Sequence, residues 1–89
     1  MNSTNRKFVV VTATDVNKRE AMKITEVSEM RLAEISTVAL HLKEHGNRYD
    51  SLGAGTVDII INCLPVSYVK LHTIDEIKVL AVIGDIKLL

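Results

Sequence analysis

The fold is decided by residues 28–46, which read SEMRLAEISTVALHLKEHG. Ser28 is a favourable N-cap residue, Glu29 places an anion in the first turn, and Gly46 supplies the left-handed residue that commonly ends a helix. Between these ends, apolar residues recur at helical spacing along one stripe, namely Leu32, Ile35, Val38, Ala39 and Leu42. The sequence therefore predicts an amphipathic α-helix from Glu29 to His45.

Two β-strands are predicted before this helix. Residues 7–14, KFVVVTAT, are rich in β-branched side chains, and residues 20–27, EAMKITEV, place Met22 and Ile24 on one face. The polar five-residue link between the two segments fits an antiparallel hairpin and is too short for a parallel crossover. Residues 1–6 are polar and predict a flexible tail.

The chain after the helix predicts a mainly antiparallel sheet of three to four further strands. Residues 46–55 predict a loop. Strands are predicted at residues 56–63, 66–72 and 77–83 and, after a turn or bulge at Gly84-Asp85, at 86–89. Residues 73–76 match a capping box, so residues 73–83 fit either a helix or a short turn followed by a strand. The β-branched residues favour the turn and strand.

The order strand, strand, helix and further strands indicates a single α+β domain over residues 7–89. In this fold class one sheet is covered on one face by the helix. A chain of 89 residues buries only a modest share of its surface, and aliphatic domains of this size often gain stability by oligomerising.

Composition excludes several classes of function. Lys+Arg and Asp+Glu both number 11, so the net charge of zero excludes both binding of nucleic acid by bulk positive charge and a strongly acidic DNA mimic. The single cysteine, Cys63, cannot form an internal disulfide; in an apolar segment it is expected to be a buried structural residue. No apolar stretch reaches the roughly 18 residues needed to span a bilayer, and the expected location is the cytoplasm.

A second stripe on the predicted helix indicates association. It consists of Met30, Ala33, Thr37 and Leu40, and it lies well away from the first stripe. Single apolar residues on a surface are normal, so this stripe is either a scatter of exposed side chains or a face that packs on another subunit or a partner. The apolar C-terminal residues Leu88 and Leu89 are likewise expected to dock in a sheet or an interface.

One short motif resembles a metal site. Residues 41–45, HLKEH, match the H-x-x-E-H pattern in which two histidines one helical turn apart bind zinc and the glutamate is a general base. A peptidase also needs a third ligand and a substrate cleft. The solvated end of a helix is the favoured interpretation, and the sequence predicts no metal and no cofactor.

A small anionic ligand such as a nucleotide is an alternative partner. The loop that contains Gly53 and Gly55 has backbone amides that can bind phosphate, and Thr56 follows it directly. Arg48 and Tyr49 add a guanidinium and an aromatic ring. Phosphate-binding loops run from a strand into a helix, whereas this loop is predicted to lead into a strand, so a plain connection is favoured.

Nucleic acid is a further alternative partner. Arg6, Lys7, Lys18 and Arg19 form the basic residues of the predicted hairpin. Basic hairpin ends can contact phosphates, but neighbouring carboxylates dilute this group and favour a solvated turn.

The residues together predict a small non-catalytic protein that acts by binding. No catalytic arrangement is evident from spacing, so we expect it to occlude or regulate a macromolecular partner, in the manner of compact phage-encoded inhibitors or regulatory subunits. The expected partners are a second copy of the chain, with a dimer favoured, and an unidentified protein.

Overall fold

The computed structural model describes residues 5–65 and 71–87 of the chain. Its strands and helices are β1 (Asn5–Asp15), β2 (Glu20–Val27), α1 (Glu29–Glu44), α2 (Ala54–Ile60) and β3 (Ile74–Lys87). Short 3₁₀ turns lie at Tyr49–Ser51, Ile61–Cys63 and Leu71–Thr73. The predicted α+β class is confirmed.

The sheet is antiparallel, with the strand order β2-β1-β3. The predicted hairpin is confirmed, since β1 pairs with β2 from Lys7 opposite Val27 to Thr14 opposite Glu20. The turn between them includes Lys18 in a left-handed conformation, with a φ of 66°. β1 begins at Asn5, two residues before the predicted boundary.

Helix α1 is also confirmed, and its ends follow the predicted signals. The Ser28 hydroxyl accepts a hydrogen bond from the Arg31 N–H at 3.1 Å, and Gly46 has a φ of 67°. The predicted inner stripe packs on the sheet: Ile35, Val38 and Leu42 are buried. They meet alternate residues of β1, which are completely buried: Val9, Val11 and Ala13.

The helix cap provides a first testable prediction. Changing Ser28 to Ala removes the side-chain acceptor for a free N–H, and we expect it to lower the free energy of unfolding by about 1 kcal/mol. Ser28→Asp keeps an acceptor at the same place and is expected to retain the wild-type value. Urea unfolding measures both variants, and equal midpoints for Ser28→Ala and wild type would contradict this role of the cap.

The strand predicted at residues 56–63 is wrong. This segment forms α2 and the 3₁₀ turn after it, and the predicted 46–55 loop contains the turn Tyr49–Ser51 and the first residues of α2. The segment is helical because its buried residues, Ile60, Cys63 and Leu64, follow an i, i+3, i+4 spacing. A short run of β-branched residues fits a strand and a buried helix equally well when it is considered alone.

The described residues contain one strand after α1, where three to four were predicted. Of the strand predicted at residues 66–72, residues 66–70 lie outside the described residues and 71–73 form a 3₁₀ turn. The turn predicted at 73–76 is largely wrong, since β3 begins at Ile74. Of the two states that fit residues 73–83, strand is the one observed. Pairing explains this, because Ile74 lies opposite Asp15 and is buried.

Strand β3 is longer than predicted and irregular. It continues through Gly84-Asp85, where it has one more residue than β1 between the pairs Arg6–Ile86 and Phe8–Ile83. The predicted turn or bulge is therefore a bulge within one strand. β3 extends to Lys87, which pairs with Asn5; Leu88 and Leu89, for which docking is predicted, lie outside the described residues.

Candidate functional site

A groove with a volume of about 540 Å³ lies between helix α1 and strand β3. Its walls, here called the α1–β3 groove, are formed by Ser36, Ala39, Leu40 and Lys43 of α1, by Asn47, and by Lys78, Val79, Leu80 and Val82 of β3. Most of these residues are apolar, and the groove opens to solvent along its length.

The groove exists because β3 departs from regular pairing beside α1. Between the pairs Val10–Ala81 and Val11–Val79, β3 has one extra residue, Leu80, which forms a bulge. A bulge bends its strand and redirects the local side chains, and Leu80 is 56% exposed. One end of the groove is closed by Asn47, whose carbonyl accepts a hydrogen bond from the Ile77 N–H at 2.8 Å.

Apolar side chains and two lysines give this groove its chemistry. Leu40 is 63% exposed on the helix side, across from the exposed Leu80. Lys43 and Lys78 also line the groove and are exposed, and neither forms an ion pair with another residue of the described chain. Lys78 pairs with Thr12, so its side chain leaves β3 on the sheet face opposite the helices, whereas Lys43 extends from α1. An apolar surface beside the Lys43 ammonium favours a ligand that is apolar on one side and anionic on the other.

The predicted outer stripe of α1 is exposed at all four of its residues. Leu40 borders the groove, and Thr37 lines a smaller cavity on the opposite side, with a volume of about 310 Å³. Met30, 77% exposed, and Ala33 line neither cavity. Helical periodicity predicted Leu40, but Lys78, Leu80 and Val82 were not predicted, since the bulge at Leu80 has no clear signal in a run of β-branched residues.

The residues predicted for an anionic ligand are divided between two places. The Arg48 guanidinium donates to the Asp50 carboxylate at 3.0 and 2.7 Å, and this hydrogen bonding lowers the pKa of Asp50. Tyr49 is partly buried against the core. The other three lie at the start of α2: Gly53 is the N-cap before it, Gly55 belongs to its first turn and Thr56 lines the 310 Å³ cavity.

The glycine loop precedes a helix, which is the order found in phosphate-binding loops. The loop leads into a helix and not into the predicted strand, but α2 is only seven residues long. Arg48 already has a carboxylate partner, so an anionic ligand would have to compete with Asp50 for it. The five predicted residues therefore belong to two elements, the 3₁₀ turn with its N-cap and α2 with its N-cap.

The two histidines of the H-x-x-E-H motif are arranged for stacking. Their rings lie 4.1 Å apart and nearly parallel. His41 Nε2 donates to the Ser51 carbonyl at 3.0 Å and His45 Nδ1 donates to the His41 carbonyl at 2.9 Å, because a carbonyl can only accept. One nitrogen of each ring is thus already used. Within residues 5–65 and 71–87, no three His, Cys, Asp or Glu side chains form a potential metal-binding group.

The basic residues of the hairpin are partly neutralised. Arg6 forms a two-point ion pair with Glu26, the closer contact being 2.6 Å, and Arg19 contacts the buried Asp15 at 2.9 Å. These pairs reduce the positive charge that the hairpin presents to a phosphate. The hairpin is therefore a weaker candidate for a binding surface than the groove.

Cys63 has the environment expected for a structural residue. Its side chain is buried, and burial raises the pKa of the thiol, although the neighbouring Thr25 hydroxyl and the charges of Lys23 and Arg31 oppose that effect. A raised pKa keeps the thiol protonated near neutral pH, and a protonated thiol is a poor nucleophile.

Comparison with known proteins gives no relative for this chain. No family model, curated protein or solved structure matches it. None of the helices in the described part of the chain has the length and apolar character required to cross a membrane.

Proposed function

We propose that this protein is a non-catalytic binding protein that occludes or regulates a protein partner through the α1–β3 groove. The observation that carries the proposal is the apolar surface of the groove, formed by Leu40 and Leu80 beside Lys43, which forms no ion pair with the described residues. An occupant of matching chemistry is an acidic amphipathic segment, whose apolar side chains cover the leucines while a carboxylate reaches Lys43.

A protein segment fits this groove better than a small molecule does. Small-ligand sites enclose about 70–90% of their ligand's surface, whereas this groove is open along its length. Amphipathic segments bind to open apolar grooves, with a few large side chains supplying most of the binding energy. When the groove binds such a segment of an enzyme or regulator, that segment can no longer make its own contacts. Compact phage-type inhibitors and regulatory subunits act in this way.

The sequence composition of selected peptides tests the proposal. A library of random 12-residue peptides is displayed and selected on the purified chain, and we expect the enriched peptides to combine Asp or Glu with Leu, Ile or Phe. A synthetic copy of the most enriched peptide is then titrated against variants by fluorescence anisotropy. Enrichment of basic peptides, or of none, would contradict the proposed groove chemistry.

Variants locate the binding in the groove. Leu40→Glu puts a carboxylate among the apolar side chains of the groove, and Lys43→Glu reverses the charge beside them. We expect each variant to bind the peptide about tenfold or more weakly. Salt screens the attraction in the wild type and the repulsion in Lys43→Glu, so we expect added salt to weaken only the former. Met30→Glu is the control, since Met30 is exposed on the same helix outside the groove. If Met30→Glu lowered the peptide affinity as much as the groove variants do, the peptide would bind outside the groove.

A further inference from the structure

The face of the sheet that points away from the helices has an apolar centre, here called the open-face patch. It consists of Phe8, Val10, Met22, Ile24, Ala81 and Ile83. Strand pairing places them side by side, with Val10 between Ile24 and Ala81 and with Phe8 beside Ile83. Both helices pack on the opposite face, and no other helix or strand of residues 5–65 and 71–87 covers this one.

Strand β2 presents its two largest apolar side chains on the open side of the sheet. Met22 and Ile24 point to that side, where they are 55% and 60% exposed. The side that faces the helices carries Ala21 and Val27, which pack against the core, and between them Lys23, whose ammonium donates to the Asn62 carbonyl at 2.9 Å, and Thr25. A second layer on the open side would bury the exposed Met22 and Ile24.

We propose that the open-face patch packs against the same patch of a second copy of this chain. The resulting dimer has two sheets face to face and the helices outside. This inference gives an interface to the second copy that the sequence predicts as a partner. It leaves the α1–β3 groove of the proposed function free, because the groove lies at the other side of the sheet, against α1.

The size of the face fits such a dimer. Strands of 11, 8 and 14 residues, at roughly 3.3 Å per residue and 4.8 Å between strands, form a face of about 500 Å² in projection. Side chains that project from it raise the accessible area toward the roughly 600–800 Å² per partner of a stable interface. A second identical sheet supplies a partner surface of equal size with an apolar centre.

The charges around the patch favour one orientation of the two copies. Glu20 and Glu76 flank Thr14 at one end of the face, with Lys78 beside Thr12. At the other end the Arg6 guanidinium lies over the Phe8 ring and is already paired with Glu26. A two-fold axis parallel to the strands would bring the acidic ends of both copies together, whereas an axis across the strands at Val10 keeps them apart.

Native mass spectrometry and light scattering of the full chain over a range of concentrations test the inference. We expect twice 9.9 kDa for the wild type. Ile24→Glu puts two carboxylates into each dimer interface, and we expect the dissociation constant to rise about tenfold or more. Met30→Glu on α1 and Leu40→Glu in the groove are matched controls that should remain dimeric.

Each outcome of this experiment decides the inference. A monomeric wild type at every concentration, an Ile24→Glu variant that dimerises like wild type, or dissociation by Leu40→Glu in its place would overturn it. Circular dichroism verifies the fold of each variant, and Met22→Lys on the same face replaces Ile24→Glu if the latter does not fold. An Ile24→Glu monomer that still binds the groove peptide separates this inference from the proposed function.

Discussion

Replacing Ile35 with Ala lowers the free energy of unfolding by about 2–5 kcal/mol, the largest effect that we expect from any single substitution. Ile35 is completely buried where α1 meets the sheet, and it belongs to the same cluster as Val11 and Ile77. The variant loses the transfer free energy of the removed carbons and leaves a cavity that the surrounding side chains fill only partly. A domain of this length is stable by only roughly 4–13 kcal/mol, so the loss is a large share of the total.

Urea unfolding at a fixed protein concentration measures this loss, since a dimer makes stability depend on concentration. Met30→Ala is the matched control, because Met30 belongs to the same helix and is exposed. We expect the midpoint of the control to stay close to that of wild type. A midpoint for Ile35→Ala within the error of the control would show that α1 does not pack on the sheet through this residue.

The second large effect on stability is expected from replacing Asp15 with Asn. The Asp15 carboxylate is buried at the end of β1, where one oxygen accepts the backbone N–H groups of Asn17 and Arg19 at 2.9 and 2.8 Å. The other oxygen accepts from the Arg19 guanidinium at 2.9 Å. An asparagine that keeps the two backbone bonds turns its NH₂ group toward that guanidinium, and a donor then faces a donor. We expect the melting temperature to fall by about 5–10 °C at pH 7.

The same carboxylate predicts a pH dependence. Burial by itself raises the pKa of Asp15, but the hydrogen bonds from Arg19 and Asn17 outweigh it and lower the pKa in the folded state. The folded chain therefore binds fewer protons than the unfolded chain near the unfolded pKa of about 3.9, and stability rises with pH through this range. The contribution of Asp15 is complete above that value and is lost as the pH falls through the lowered folded pKa.

Thermal unfolding between pH 2 and 7 measures this contribution as the difference between wild type and Asp15→Asn. We expect the difference to be constant from about pH 5 upward and to shrink as the pH falls below about 4. Asp58→Asn, at an exposed carboxylate of α2, is the control and should follow wild type at every pH. A difference that does not change with pH would mean that the buried charge of Asp15 contributes nothing to folding.

The candidate site was predictable only in part. Leu40 appears in the sequence as a member of an outer helical stripe, because helical periodicity fixes which side chains share a face. Leu80 and Lys78 lie about forty residues away along the chain, and their place beside α1 depends on a bulge in β3. The five residues proposed for an anionic ligand were grouped by their nearness in sequence, and they belong to a 3₁₀ turn and to α2 with their N-caps.

By itself the sequence determined the hairpin and helix α1, because both depend on local signals. The hairpin is indicated by alternation and by a five-residue link, and the helix ends are indicated by Ser28 and Gly46. All of these signals involve residues that are close together in the chain. The tertiary structure decided the state of residues 54–63, the length of β3 and the face on which Met22 and Ile24 lie. In each case the local preference is nearly balanced, and the choice rests on which residues of distant segments are buried together.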